Sequence, residues 1–361
     1  MKAAILVSQR TPLMIDEIDL PESLHVGQVL VKVHFSGICG SQLGEIDGVK
    51  GEDKFLPHLL GHEASGEVLE IGPGVSHVKP GDMVVLHWRK GLGIEAKPPI
   101  YQWRGRALNA GCIATFNEYA IISENRLTTV PQDTDLEVAA LFGCAVTTGF
   151  GVIVNNAKLK IGESIVVYGA GGVGLNIIQA AALVSAYPIV AVDRYDERLN
   201  LARVAGATHL INTHRQEALP LIQEITEGCG VDCFIDNTGN PEIIQLGYQI
   251  TKPQGRVILV GVPPKGRDIS IYSLPLHFGK ELTGSHGGEA EPHLDIPRYH
   301  ALFRAGRIKL REFITDTFAL EDINQAIQSM RDGTAAGRCL IAMRHSSPSQ
   351  HKLFSAQSAC R

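Results

Sequence analysis

The run at residues 163–186, ESIVVYGAGGVGLNIIQAAALVSA, leaves this chain few architectures to choose from. Its apolar start reads as a strand buried on both faces, and the small apolar residues after the glycines read as a helix packed on that strand. Between the two lie Gly169, Gly171 and Gly174, at the spacing of a phosphate-carrying turn. The first glycine permits the tight turn out of the strand. The second lets the backbone approach a pyrophosphate, and the third lets helix and strand pack closely. Gly172 and Val173 complete the loop, at the positive end of the helix dipole, where free N–H groups can meet an anion.

The following strand, PIVAVD, ends in Asp193, about twenty residues past the last glycine, where an acid accepts hydrogen bonds from adenosine ribose hydroxyls. Its charge would repel a 2′-phosphate, so NAD is expected rather than NADP, and Arg194 beside it softens that preference. Further strands are read at HLIN, VDCFIDNTG, GRVILVGV and KELTGSHGG, with helices at ERLNLARVAGA, EALPLIQEITEG and PEIIQLGYQI. Six strands alternating with helices predict an α/β, doubly wound parallel sheet.

Residues before about 145 have another character. Short alternating runs such as QVLVKVHFSG and ASGEVLEIG, punctuated by glycine and proline, predict a β-rich unit. After residue 289 two helical stretches and a closing strand, GRCLIAM, follow. The expected organisation is therefore a β-rich domain of residues 1–146 and 290–345, interrupted by a nucleotide-binding domain of residues 147–289, with 346–361 a mobile tail. A net charge of -5 gives no reason to expect nucleic acid or an anionic membrane as partner, and no apolar run is long enough to span a bilayer. Seven cysteines at scattered spacing argue against a disulfide framework and for a reducing cytoplasm, where thiols can serve as metal ligands.

One such use is suggested by His62, in the loop sequence GHEASG. Alone, that tripeptide is also what an ordinary surface loop carries. Cys39 upstream and Cys144 downstream would complete a set of two thiolates and one imidazole, which leaves the fourth tetrahedral position of zinc open, as catalytic sites do. The three residues are far apart in sequence, and their spacing does not decide the matter.

The segments GICGS, GHEASGEVLEIGPGVSHVKPGD, TFNEYA, GCAVTTGFG and GAGGVGL occur in the order found in the medium-chain dehydrogenase/reductase superfamily, and the chain resembles its zinc-dependent alcohol dehydrogenases from Met1 to about Met343. The resemblance implies a GroES-like β-rich catalytic domain beside a Rossmann NAD-binding domain, with Cys39, His62 and Cys144 as ligands of one catalytic zinc. It implies that Glu63 lies close to the metal, that Ser41 takes the substrate proton, and that Trp88 walls the alcohol pocket. Thr148 falls beside the nicotinamide and Arg338 beside the pyrophosphate. The implied activity is hydride transfer between NAD and an alcohol, with a sugar, polyol or cyclitol among the candidates, in a homodimer or homotetramer with GRVILVGVPP at the contact. A zinc-free enoyl or quinone reductase and an inactive nucleotide-binding regulator are the alternatives.

The chain departs from that pattern in several places. The region of the second, structural zinc of many relatives holds only Cys112, read here as a small buried residue. Gln42 replaces an acid that orients the ligand histidine, and its carbonyl is expected to take over that hydrogen bond. Gly44 replaces the relay histidine, leaving His58, His87 and His286 as candidates for proton exit. Gly40 replaces an arginine on the pyrophosphate. The basic stretch 87–110, with Trp88, Tyr101 and Trp103, is read either as a pocket lining or as a solvated loop over the cleft.

Overall fold

The computed structural model describes residues 1–345; the tail expected at 346–361 lies outside the described residues. Six parallel strands form one sheet in the order His209–Asn212, Ile189–Asp193, Ile165–Tyr168, Val231–Asp236, Thr251–Leu259, Glu281–Gly284. The chain thus starts in the middle, winds outward one way, then returns and winds the other way. The reversal beside Ile165–Tyr168 opens a crevice at the carboxyl ends of the strands. Val166, Val167, Val190, Ala191, Phe234 and Ile235 are fully buried, as a sheet covered on both faces requires. All six expected strands are present.

The rest of the chain builds two further sheets. One has seven strands and is centred on Gln28–Gly37, which pairs with Glu63–Ile71, Tyr119–Ser123 and Arg338–Ala342. Through Arg338–Ala342 and Ile314–Ala319 the end of the chain rejoins the sheet begun near its start. The other has five strands, in the order Met14–Glu17, Lys2–Leu6, His58–Leu59, Arg106–Asn109, Ile100–Trp103. Helices Pro292–Arg304 and Ile323–Asp332 pack against the seven-stranded sheet. A short one, Gly40–Asp47, was not signalled by apolar periodicity.

Two sequence readings need correction here. Within the stretch 87–110, residues 100–109 form a hairpin, so Tyr101 and Trp103 belong neither to a pocket lining nor to a solvated loop. Tyr101 and Trp103 are 1% and 3% exposed in the core beneath the five-stranded sheet. The Tyr101 hydroxyl accepts from the Ile121 amide at 2.9 Å, and the Trp103 indole donates to Asp16 at 2.8 Å, so both aromatics are anchored structurally. Cys112 is exposed rather than buried, since it falls in the turn after the hairpin. Among the described residues no helix is long and apolar enough to cross a membrane.

Candidate active site

Three separate elements deliver the candidate ligands. Cys39 is the residue just before helix Gly40–Asp47, at the end of the strand Gln28–Gly37. His62 follows Gly61, whose left-handed φ of 96° and lack of a side chain are both required. A Cβ there would stand 2.3 Å from the Thr115 hydroxyl, because Thr115 and Phe116 cross over it and donate to the Leu60 carbonyl. Cys144 starts the helix Ala145–Gly151. The sulfurs of Cys39 and Cys144 and a ring nitrogen of His62 all lie within 4.8 Å of one another.

The electrostatics suit a cation. The Cys39 thiol is held well below its ordinary value, chiefly because the Cys144 thiol donates to it, and His62 and the Arg338 guanidinium assist. Cys144 is correspondingly driven well above its ordinary value by that same hydrogen bond and by burial, since a second thiolate beside the first is unfavourable without a metal. His62 Nε2 is buried and has no partner among the described atoms. Two soft sulfurs and one imidazole nitrogen without a protein partner are a donor set that fits zinc.

Around this cluster the contacts differ in part from expectation. The Gln42 carbonyl accepts from the Cys39 amide at 2.9 Å instead of from His62, and the Gln42 amide group faces His62 Nδ1. The helix start needs an acceptor for that amide, and Gln42 supplies it. Glu63 is fully buried and forms an ion pair with Arg338, while its other oxygen accepts from the Ala145 amide at 3.2 Å. Ser41 Oγ is buried and unpartnered. Thr148 Oγ1 lies 3.9 Å from the Cys144 sulfur. The Trp88 ring is 6.4 Å from the His62 ring and 4.9 Å from that of His286.

Of the three histidines considered for proton exit, each is otherwise engaged. His58 bonds Asp53 at 2.7 Å. The His87 ring is held between the Arg89 carbonyl at 2.7 Å and the Thr128 hydroxyl at 2.9 Å, and burial pushes its pKa down to about 4. His286 Nδ1 accepts from Arg89 at 2.7 Å.

The glycine loop, Cys39 and Ser41 line one cleft of about 740 Å³. Gly169 has φ 95°, and a Cβ at Gly174 would stand 2.0 Å from the Gly169 carbonyl oxygen, so helix Gly172–Leu183 starts hard against the end of its strand. Gly171, Gly172, Val173, Asp193, Arg194 and Arg338 line the same cleft. Arg338 is 3% exposed and lies against Gly172, with burial lowering its pKa, so it reaches both the loop and Glu63. The sequence reading missed Asn237, Thr238, Val260, Gly261, Thr213 and Arg198, which also line the cleft. All but Arg198 follow the carboxyl end of a parallel strand, which is the signal that could have found them.

An alcohol dehydrogenase GroES-like domain matches residues 25–132, and a zinc-binding dehydrogenase model matches residues 172–304. An S-(hydroxymethyl)glutathione dehydrogenase of Synechocystis sp. is 33% identical, the match covering 92% of this chain and 97% of the relative. A class-3 alcohol dehydrogenase of Cereibacter sphaeroides is 30% identical, with 92% and 97% covered. Among solved structures, benzyl alcohol dehydrogenase from Acinetobacter calcoaceticus superimposes with a TM-score of 0.85 at 29% identity, covering 95% of this chain and 99% of that one.

Proposed function

The chain belongs to the zinc-dependent alcohol dehydrogenase family, and on that premise we propose that its alcohol centre lies where Cys39, His62 and Cys144 converge. Those three residues would hold one catalytic zinc. The observation that carries this reading is that three donor atoms remote in sequence come within 4.8 Å of one another, and that one of the three residues, Cys39, lines the same cleft as the glycine loop. The reaction is hydride transfer between an alcohol and NAD.

When bound, zinc supplies Lewis acidity that makes an alcohol hydroxyl easier to deprotonate. The remaining work falls to the chain itself. Ser41 Oγ, buried beside Cys39 without a competing partner, would accept the alcohol proton while passing its own hydroxyl proton outward by way of the cofactor ribose. Thr148, beside Cys144, bounds the nicotinamide, and Trp88 closes the alcohol side and excludes water. The amides at the start of helix Gly172–Leu183 take the pyrophosphate, with Arg338 beneath them. Glu63 keeps Arg338 in place. Gly169, Gly171, Gly172, Val173 and Gly174 form the phosphate loop, and Asp193 and Arg194 lie at the adenosine end. The units are assigned as residues 1–146 with 290–345, and residues 147–289. Six unpaired thiols among the described residues support a cytoplasmic setting.

Two copies would join through the free edge of strand Glu281–Gly284, near which Tyr272, Leu274, Phe278 and Val262 are exposed. GRVILVGVPP contributes only its end, because Thr251–Leu259 is flanked by strands on both sides.

The decisive experiment is Cys144→Ala with metal analysis. The native chain should carry about one zinc, and the variant should lose it together with turnover while still binding NADH. Full turnover without zinc would refute the assignment. A panel of simple alcohols, polyols and cyclitols, followed at the NADH absorbance band, then selects the substrate class.

A further inference from the structure

Trp88 and its neighbour Arg89 meet the segment 286–290 beside the candidate metal centre, and hydride transfer alone does not require the way Arg89 is held there. The Trp88 indole N–H is directed at the Cys144 sulfur. Its ring lies edge-on to that of His286, 4.9 Å away at 83°, and a Cβ at Gly287 would stand 2.3 Å from the indole. Packed this closely, the aromatic wall has no room to shift. Trp88, Arg89 and His286 do not line the dinucleotide cleft, so a group received here is not part of the cofactor.

Arg89 is fixed in place yet carries no counter-charge. Its Nε donates to the Ala290 carbonyl at 3.1 Å, and its Nη1 donates to the His286 carbonyl at 2.6 Å and to His286 Nδ1 at 2.7 Å. All three acceptors are uncharged. The guanidinium carbon stands 5.8 Å from the centre of the Trp88 ring, and Nη2 has no partner among the described residues. The acids nearby are engaged elsewhere. One Glu289 oxygen accepts from the His286 amide at 2.9 Å and the other from Asn156, while Glu95 is paired with Lys90 and Arg126. His286 is exposed, and because its Nδ1 accepts from Arg89, its Nε2 carries the proton and is left to donate. A preordered, permanently charged fork with an idle N–H pair, beside a second donor, suits an oxyanion.

We propose that the alcohol oxidised at this centre carries an oxyanion, a carboxylate or a phosphate monoester, and that Arg89 receives that group through Nη2, with His286 Nε2 as a second donor. Trp88 touches both Cys144 and His286, so its indole spans from the metal ligands to the anion position. The anion takes no part in hydride transfer; it decides which alcohols are held in place to react. The inference rests on the assignment of the alcohol centre given above.

Steady-state oxidation of ω-hydroxycarboxylates, ω-hydroxyalkyl phosphates and 1-alkanols of matched chain length by the zinc-loaded protein tests it. At the best length, kcat/KM for an anionic alcohol should exceed that for the alkanol by about tenfold or more, and raised salt should shrink that ratio. Arg89→Met should lower the ratio by about tenfold, Arg89→Lys should restore part of it, and His286→Phe should lower it by about threefold. A general loss of folded or metal-loaded protein leaves such a ratio unchanged. In the native protein, an aliphatic carboxylate without a hydroxyl should compete with the alkanol more strongly than the matching amide does. Whichever of carboxylate and phosphate gives the higher ratio is the group received. The inference is overturned if no anionic alcohol is preferred over its alkanol, or if Arg89→Met leaves the ratio as it was. No turnover with any alcohol would instead remove the assignment of the alcohol centre, and this inference with it.

Discussion

The phosphate-facing wall of the cleft is one stretch of backbone, residues 169–174, whereas the metal-facing wall is three side chains brought in by three separate elements. The first wall is local: a strand, a turn and a helix within one unit of the doubly wound sheet produce it wherever they fold. The second exists only if the strand ending near Cys39, the turn at Gly61 and the helix starting after Cys144 all pack correctly. A site of the first kind should survive many changes elsewhere, and one of the second kind should report on the packing of its whole surroundings.

The largest effect that tests this contrast is expected at the pair joining the two walls. Arg338 touches Gly172 on one side and pairs with fully buried Glu63, next to His62, on the other. Arg338→Met would leave the Glu63 charge buried and unpaired, a change that typically costs about 3–5 kcal/mol. Urea denaturation of the zinc-loaded protein should show a loss of that size, with zinc retention reduced more than NADH binding. Adding Glu63→Gln removes the stranded charge and should recover part of the loss. A double variant whose loss equals the sum of the two single losses would show that the pair does not join the walls.

A somewhat smaller effect is expected at His87, whose strand pairs with the one carrying Glu63. Its pKa is depressed from 6.5 to about 4 by burial, so the unfolded chain binds the proton more readily than the folded one. Stability should therefore be complete above the unfolded value and fall as pH drops from about 6.5 towards 4, by on the order of 3 kcal/mol. His87→Gln, which can still bond the Thr128 hydroxyl, should flatten that part of the stability–pH curve. An unchanged slope in the variant would place the acid sensitivity elsewhere, and the comparison would lose its evidence that the metal-facing wall depends on neighbouring packing.

The same contrast explains what could be seen in the sequence. The glycine loop, Asp193 and the six-strand alternation were legible because each depends on residues close together in the chain. Cys39, His62 and Cys144 were nameable only through the resemblance of whole motifs, since nothing in their spacing states that they meet. The partners of Gln42 were not legible at all. A glutamine has one acceptor and one donor group, and which neighbour receives which depends on how the helix at Gly40 begins. Tyr101 and Trp103 were misplaced for a similar reason: alternation in a four-residue strand is too short to reveal a hairpin, and the basic residues between the aromatics suggested exposure.

The smallest expected effect is also the most specific to this chain. The single Gln42 carbonyl is wanted by two donors, the Cys39 amide and a protonated His62 Nδ1, and the amide has it. The Gln42 amide group is left facing Nδ1, an arrangement in which a neutral ring carries its proton on Nε2. That is the buried, unpartnered nitrogen that zinc would need. Loading the metal then requires either the proton to move or the amide to turn, and turning it strips the Cys39 amide of its acceptor. A carboxylate of the same length accepts from both donors at once. Gln42→Glu should accordingly tighten zinc by about 10–100-fold, the range over which such partners act on metal affinity, read by competition with a coloured chelator at fixed pH. The glycine wall takes no part in this competition, so NADH affinity should barely change. Equal zinc affinity in the two proteins would mean that Gln42 does not hold His62 in the unfavourable form, and that the metal-facing wall is as self-sufficient as the glycine loop.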